Sequence, residues 1–538
     1  MPNRSRAPRC WKRERANSGN QMQDNPIELG ISYHAILPEA ITSSVAVLIM
    51  LADAFSRRIE RKLAGALSLV GLMAAAVAVF SLRHQNGATS FRGMMITDDL
   101  RLAFALVFLV AAFLVVLISL RWVKDEQLPT GEYFALLMFA TTGMLFMSAA
   151  NDLVMIFLGL EITSISTYVL CGYRRKDLRS TESAMKYFIL GSFSTAFLLY
   201  GIALVYGASF NPAADPVATT NLQLIKERIA SGHLYSQELL FAGAAMMIVG
   251  FGFKIASAPF HIWSPDVYEG APTPVTAFLS TGSKAAAFAS FARVFVVTFA
   301  AAPLAVTAGE SVAGALQSLS TTALALMAML TMTVGNLVAI TQNNIKRMLA
   351  YSSIAHAGYA LVGIVALDWR SVAFYMLSYV VINIGAFAIV EVMARRGDQH
   401  TDIADYSGIG FQSLGLATML SLFMLSLAGL PPTAGFMGKF LVFRSAWIAG
   451  SVAGNSLVHV LVIVGVINSA ISWYYYLRVV VAMFFREPLA GFKPPVLARS
   501  MAAALALAVL GTIYLGIMPD RVLEALDRAR EQITASLE

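Results

Sequence analysis

The 538-residue sequence is poor in charge and almost without cysteine. Asp, Glu, Lys and Arg make up 13% of it against 57% hydrophobic residues, about half the charge of an ordinary soluble domain, which excludes a water-soluble protein of this size. Each membrane span takes roughly 20 mostly apolar residues, so fourteen spans take about 280 positions and leave room for short loops but no sizeable soluble domain. The two cysteines, Cys10 in a basic tail and Cys171 at the end of an apolar run, make no disulfide framework and show no metal-ligand spacing. No CxxC, CxxCH, HExxH, P-loop or GxGxxG pattern stands in a fitting context, so the usual local sites for an electron carrier, a nucleotide or zinc are missing. What is present is 33 Phe, 25 Met and 38 Gly at a mean hydropathy of +0.67. That mixture suits packed membrane helices better than barrel strands of alternating polarity. The fold class expected is an all-α integral membrane protein, driven by ions or by partners.

Apolar runs fall at about 36–53, 63–82, 100–120, 133–149, 152–170 and 185–207. After a polar stretch with Asn211-Pro212 and Asp215-Pro216 turn signals, others follow at about 239–260, 272–300, 314–341, 347–367, 371–393, 412–447, 455–483 and 499–518. The run at 412–447 is too long for one straight span and has Pro431 and Pro432 at its centre, so it reads as a broken helix. About fourteen spans put both chain ends on one side. If the chain starts outside, the cytoplasmic loops hold seventeen Lys and Arg, among them Arg57, Arg58, Arg174, Arg175, Lys346, Arg347, Arg395 and Lys493. The opposite loops hold Arg83, Arg92, Lys226, Arg228 and Arg370, with Arg101 at the lip of the third span. Both termini are therefore expected outside the cytoplasm.

Residues 1–21 disagree, since Arg4, Arg6, Arg9, Lys12, Arg13 and Arg15 run against the same bias. No apolar core of a signal peptide accompanies them, and Met22 precedes a stretch free of Lys and Arg. The expectation is natural initiation at Met22, tested by intact mass; it takes the formal charge from +7 to +2. A harmless real extension is the alternative. The C-terminal PDRVLEALDRAREQITASLE predicts a short amphipathic helix with Val522, Leu523, Leu526 and Ile533 toward one face.

Charges inside apolar runs are costly and usually face a hydrated cavity or another charge. Here they are Glu161 in the fifth span, Lys186 near the start of the sixth, Lys254 in the seventh, Lys284 in the eighth and Lys439 in the twelfth. Burial disfavours an ammonium and a neighbouring carboxylate favours it, so such a lysine can load and release a proton as its partner changes. Snorkelling or a static pair is the plainer reading, most of all for Lys186 near a membrane face. Helix breaks strengthen the transport reading, because interrupted spans expose backbone only where they line a cavity. Pro259, Pro265, Pro272 and Pro274 follow Lys254, while Pro431 and Pro432 precede Lys439. A duplicated unit is suggested, with proline and lysine in opposite order. His356, beside Tyr351, Ser352, Ser353 and Tyr359, and His261 after the first break are candidate path residues; packing histidines are the alternative. Asn336 and Asn383 read equally as interhelical hydrogen-bond donors. Lys346 and Arg347 read as anchors at a span mouth, and RRKDLRSTES as a solvated mixed-charge loop without the interleaved aromatics that nucleic acid would need.

The segments WSPDVYEGAPTPVTAFLSTGSKAAAF, NIKRMLAYSSIAHAGY and AGLPPTAGFMGKF, in this order and spacing, closely resemble the subunit N family of bacterial NADH-quinone oxidoreductase (respiratory complex I), one of the antiporter-like membrane subunits. The resemblance covers roughly 28–518 and leaves out 1–21. It implies two inverted five-helix repeats with the broken helices as spans seven and twelve. The domain division is then 1–21 as extension, 22–130 as the first three spans, 131–300 and 301–485 as the repeats, and 486–538 as span fourteen and tail. Carried over from the family, Glu161 and Lys186 are the fifth-span glutamate and its associated lysine, Lys254 the seventh-span lysine, Lys284 the connecting lysine, and Lys439 the residue near the exit. Lysine at 439 is compatible with subunit N, where a sister subunit carries glutamate.

What the resemblance implies is a proton-translocating subunit in which Glu161 shifts relative to its lysine partner, changes the proton affinity of Lys254, and is linked by Lys284 and His356 to Lys439. His261, Tyr351 and Ser353 are further path candidates, and no residue is assigned to catalysis, cofactor or metal. This chain is expected to hold no cofactor; NADH, FMN, iron-sulfur clusters and quinone belong to partner subunits. The partners expected are other complex I membrane subunits, including the sister antiporter-like ones, and membrane lipids, with no nucleic acid. Alternatives are a sodium/proton antiporter subunit, a membrane module of a hydrogenase-type complex, and a purely structural subunit.

Overall fold

The computed structural model describes residues 32–55, 61–210, 217–300, 312–394, 396–488 and 497–524. The extension 1–21 with Met22, Arg57 and Arg58, Arg395, Lys493, the turn signals at 211–216 and the C-terminal tail beyond 524 lie outside them, as do the side chains of Arg61 and Lys62. Among the described residues the regular structure is helical apart from a two-stranded ribbon, and twelve helices are long and apolar enough to cross a membrane.

The first three helices are α1 (Leu37–Phe55), α2 (Arg61–Ser81) and α3 (Asp99–Asp125). Between α2 and α3 the strands β1 (Thr89–Ser90) and β2 (Met95–Ile96) pair antiparallel, Thr89 with Ile96 and Ser90 with Met95. Then follow α4 (Thr130–Ala149), α5 (Leu153–Cys171), α6 (Leu178–Ala208), the short α7 (Leu222–Ser231) and α8 (Gln237–Lys254). Asp98, Asp152, Asp177 and Ser236 cap α3, α5, α6 and α8, each side chain accepting a free first-turn N–H. A break after α8 leads to α9 (Trp263–Gly270) and then to a helical run, α10 (Thr273–Phe278) and α11 (Lys284–Ala292), interrupted by π turns at Leu279–Ser283 and Arg293–Thr298.

The chain continues with α12 (Val312–Thr341), α13 (Ile345–Val365), α14 (Trp369–Ala394), a single turn α15 (Ile409–Gln412), the interrupted pair α16 (Leu414–Ala428) and α17 (Ala434–Ala453), α18 (Ser456–Phe485) and α19 (Arg499–Ile517). The 412–447 run is thus two helices parted at Gly429–Thr433, as its prolines require. By contrast, the 272–300 run gains π turns that no sequence signal announced.

Small residues set the closest helix pairs. A Cβ at Gly143 of α4 would collide with the Gly159 carbonyl and Thr163 of α5, and one at Gly243 of α8 with the Gly201 carbonyl of α6. Without side chains there, the backbones meet directly, which in an apolar surround gains dispersion that the hydrophobic effect does not supply. Helices α3, α13 and α14 are buried over most of their length, whereas α1, α6 and α18 leave apolar side chains such as Val47, Phe193 and Ile463 exposed. Arg101, placed by sequence at the lip of the third span, is instead 2% exposed and ion-paired at 2.9 Å with buried Glu39. Arg293 pairs with Asp98, so each of these two buried arginines has a carboxylate partner.

Candidate functional site

Lys254 is the last residue of α8, at the first break. The half-helix ends there because Ala256 turns into the left-handed region (φ 57°) and Pro259 cannot continue the ladder. Trp263 repairs the end by donating its indole N–H to the Phe253 carbonyl at 3.0 Å. The Lys254 ammonium, buried, donates to Ser164 Oγ of α5 at 2.9 Å and to the Tyr187 hydroxyl of α6 at 3.0 Å, and lies over the Tyr187 ring. Leu160, Ser164, Tyr168, Ser194, Thr195 and Lys254 line a small cavity about the size of one water molecule.

Glu161 stands on α5 one turn before Ser164, with its Oε1 buried and without a hydrogen-bond partner among the described residues. Lys186 is not joined to it. Its ammonium pairs with Glu182 at 2.7 Å and with Asp266 of α9 at 2.9 Å, and its side chain is 41% exposed.

Lys284 follows the π turn on α11 and is 1% exposed; it donates to the carbonyl of Ser353 at 2.8 Å and to its Oγ at 2.6 Å. One turn along α13, His356 Nδ1 sits 2.7 Å from the Tyr375 hydroxyl and Nε2 3.2 Å from the Tyr476 hydroxyl, with Tyr379 stacked on the imidazole. Tyr476 also bonds Ser352. Tyr351 packs, partly buried, at the edge of the core, and His261 sits in the first break with Nδ1 buried and unpartnered among the described residues.

Lys439 reaches from α17 across the second break. Its ammonium takes the carbonyls of Leu427 and Ala428, freed where α16 ends, at 2.9 and 3.1 Å, together with Ser469 Oγ at 3.0 Å, and lies over the Tyr359 ring. The opposite order of proline and lysine at the two breaks therefore has a geometric basis. Lys254 terminates the half-helix before its break, and Lys439 reaches back from the half-helix after its own. Among the described residues, Lys254, Lys284 and Lys439 are held by hydroxyls and carbonyls alone, with no carboxylate in ion-pair contact.

The loops differ from their sequence reading. Lys346, expected as an anchor, is fully buried and donates to the Ala271 carbonyl at 2.7 Å and to Asp398 at 2.9 Å. Arg174, expected in a solvated loop, is 6% exposed and pairs with the same Asp398 at 2.9 Å. Burial opposes the Asp398 charge, but Lys346 and Arg174 outweigh it and hold the carboxyl below the usual aspartate range. Arg347 pairs with Asp266 at 2.9 Å and with Glu269 at 2.8 Å. Sequence reasoning missed Tyr187, Asp266, Tyr375 and Tyr476; of these only Asp266, a carboxylate between two lysine-bearing spans, carried a signal that pairing could have used.

Residues 150–472 match the family described as NADH:quinone oxidoreductase/Mrp antiporter, TM. Over 502 residues the chain is 42% identical to NADH-quinone oxidoreductase subunit N of Trichlorobacter lovleyi, covering 93% of this chain and 97% of the relative. The chain belongs to the NADH-quinone oxidoreductase subunit N family. A second family member, subunit N 1 of Solibacter usitatus, is 42% identical over 91% of this chain and 95% of its own. A chain in the structure of respiratory complex I from Thermus thermophilus with bound aureothin superposes with a TM-score of 0.74 at 33% identity, over 91% of this chain and 99% of that one. The fold reaches beyond the subunit N family: a chain of the Mrp complex from Dietzia sp. has a TM-score of 0.76 at 18% identity, over 93% of this chain and 97% of that one.

Proposed function

We propose that this chain is the proton-translocating subunit N of a bacterial NADH-quinone oxidoreductase, coupling electron transfer in partner subunits to proton movement through its own buried axis. The observation that carries the proposal is the set of three ammonium groups, Lys254, Lys284 and Lys439, buried on hydroxyls and carbonyls with no carboxylate in ion-pair contact among the described residues. An isolated ammonium in such a medium is held at several kcal/mol of cost. A static structural role is better served by a carboxylate partner or an apolar residue.

In this reading protons pass from the region of Glu161 and Lys186 to Lys254, then by Lys284, Ser353 and His356 to Lys439, with Tyr351 and His261 beside the path. The chain crosses the membrane fourteen times: the twelve long apolar helices, the interrupted run α10–α11, and the pair α16–α17. Helices α4–α11 and α12–α18 are two inverted units, each with its break in the fourth span, residues 131–300 and 301–485. Residues 22–130 and 486–538 flank them, and both termini are periplasmic in the inner membrane. NADH, FMN, iron-sulfur clusters and quinone are held by partner subunits, and sister antiporter-like subunits pack alongside in a shared lipid environment.

The test is Lys254→Ala and Glu161→Ala in the assembled complex, with proton pumping and NADH-quinone turnover measured together. Loss of a positioned proton carrier lowers pumping by about two orders of magnitude for Lys254→Ala; unchanged pumping in both variants refutes the assignment.

A further inference from the structure

Lys186 and Glu161 stand on neighbouring helices, yet the ammonium of Lys186 lies on α9, where Asp266 Oδ2 accepts it at 2.9 Å. The other oxygen of that carboxylate, Oδ1, accepts from Arg347 Nη1 at 2.9 Å. Asp266 is thus shared between a residue of the first unit and a residue at the start of α13, the helix that presents Ser353 to Lys284 and carries His356. Arg347 has a second acceptor in Glu269, and Lys186 a second in Glu182. Meanwhile Glu161 keeps a buried carboxylate oxygen without a partner. Leaving such an oxygen unpaired is unfavourable, and a lysine on a flexible four-carbon stem is the kind of group that relieves it.

We propose that Asp266 is a positioning residue of proton translocation, competing with Glu161 for Lys186. With Lys186 on Asp266, Glu161 is left unpaired beside Lys254; with Lys186 on Glu161, Asp266 is left wholly to Arg347. The carboxylate carries a change at Lys186 to the base of α13 without a proton crossing the gap. Lys186, Asp266 and Arg347 side chains are 41%, 38% and 32% exposed, so breaking one of these pairs costs far less than breaking a buried one. This rests on the proton-translocation reading above.

Two substitutions freeze the exchange in opposite positions. Asp266→Asn removes the competitor on α9 and leaves Lys186 to Glu161 and to Glu182 on its own helix. Arg347→Gln removes the other claimant and leaves Asp266 to Lys186. In inverted membrane vesicles holding the assembled complex, each lowers the pumping rate by about five- to tenfold, the lower end of ordinary coupling between sites, and Asp266→Glu restores most of it. In a Lys186→Ala background the same substitutions change pumping less than about twofold, because nothing is left to compete for. Equal losses with and without Lys186 give Asp266 a structural role and overturn the proposal, as does full pumping by both single variants while Lys254→Ala pumps nothing. Full pumping by Lys254→Ala overturns the underlying functional reading instead. If Asp266→Asn does not assemble, Arg347→Gln, which leaves every carboxylate of the cluster in place, decides by the same comparison.

Discussion

Asp398→Asn is the sharpest test of how the two halves are joined. Its carboxylate holds Lys346 at 2.9 Å and Arg174 at 2.9 Å and accepts from Thr273 Oγ1 at 3.2 Å, while only 12% of the side chain is exposed. Taking one partner out of a buried ion pair costs about 3–5 kcal/mol, because the remaining charge stays buried. Arg174 retains Asp177 at 3.6 Å and Glu126 at 3.9 Å, and Lys346 keeps the Ala271 carbonyl. The lower end, about 3 kcal/mol, is therefore expected. At 1.36 kcal/mol per factor of ten this is roughly a 100-fold rise in local opening. Hydrogen exchange across 396–406 in the purified complex reads it directly. The sign with pH is fixed as well. The folded carboxyl titrates below its unfolded value of about 3.9, so its contribution is complete above that value and is lost as pH falls through the folded one. Wild type and variant should keep a constant gap from about pH 8 to 5 and converge in stronger acid. A rise in exchange under about threefold at neutral pH, or a gap that widens in acid, refutes the hub.

Two further outcomes follow. Ser353→Ala removes one of the two acceptors of Lys284 and leaves the carbonyl; a lost hydrogen bond to a charged group is worth about 1.5–3 kcal/mol, so pumping should fall by about tenfold while the amount of assembled complex stays the same. Gly435→Ala drives a methyl into the Ser426 carbonyl at the end of α16; the overpacking costs about 1–3 kcal/mol and displaces the two carbonyls that hold Lys439, which thermal inactivation and pumping should register together.

What could be read from sequence depended on how rare each signal is in its setting. Long apolar runs and prolines inside them are unambiguous, so the membrane class and the two interrupted regions were legible. The π turns at Leu279–Ser283 and Arg293–Thr298 were not, since they shift the hydrogen-bond ladder without needing a breaking residue. A charged residue in an apolar run is also rare enough to be noticed, and the five candidates, Glu161 and four lysines, were found that way. Their partners were harder. Lys186 was paired with Glu161 from family resemblance, but of its two acceptors Asp266 lies 80 residues on, and Asp398 lies 52 residues from Lys346. Packing brings these distant segments together, and a charged segment read alone looks solvated.

The acceptors of the buried lysines were illegible for a different reason. Hydroxyls abound in these spans, and many of them simply return to their own helix: Ser68 to the Ala64 carbonyl, Thr141 to Leu137, Thr512 to Ala508. Ser164 does the same toward Leu160 at 2.6 Å, yet it also accepts from Lys254, because a hydroxyl has lone pairs to spare after donating its one proton. The local bond orients the group and the distant one uses it. A serine serving a lysine is therefore identical in sequence to a serine serving only its helix, and only the arrival of α8 beside α5 tells them apart. The same holds for Tyr187 and Tyr476, whose rings read as core while their hydroxyls face Lys254 and His356. In an apolar medium the charged half of each pair is scarce and visible, whereas the polar half is common and has to be found through packing.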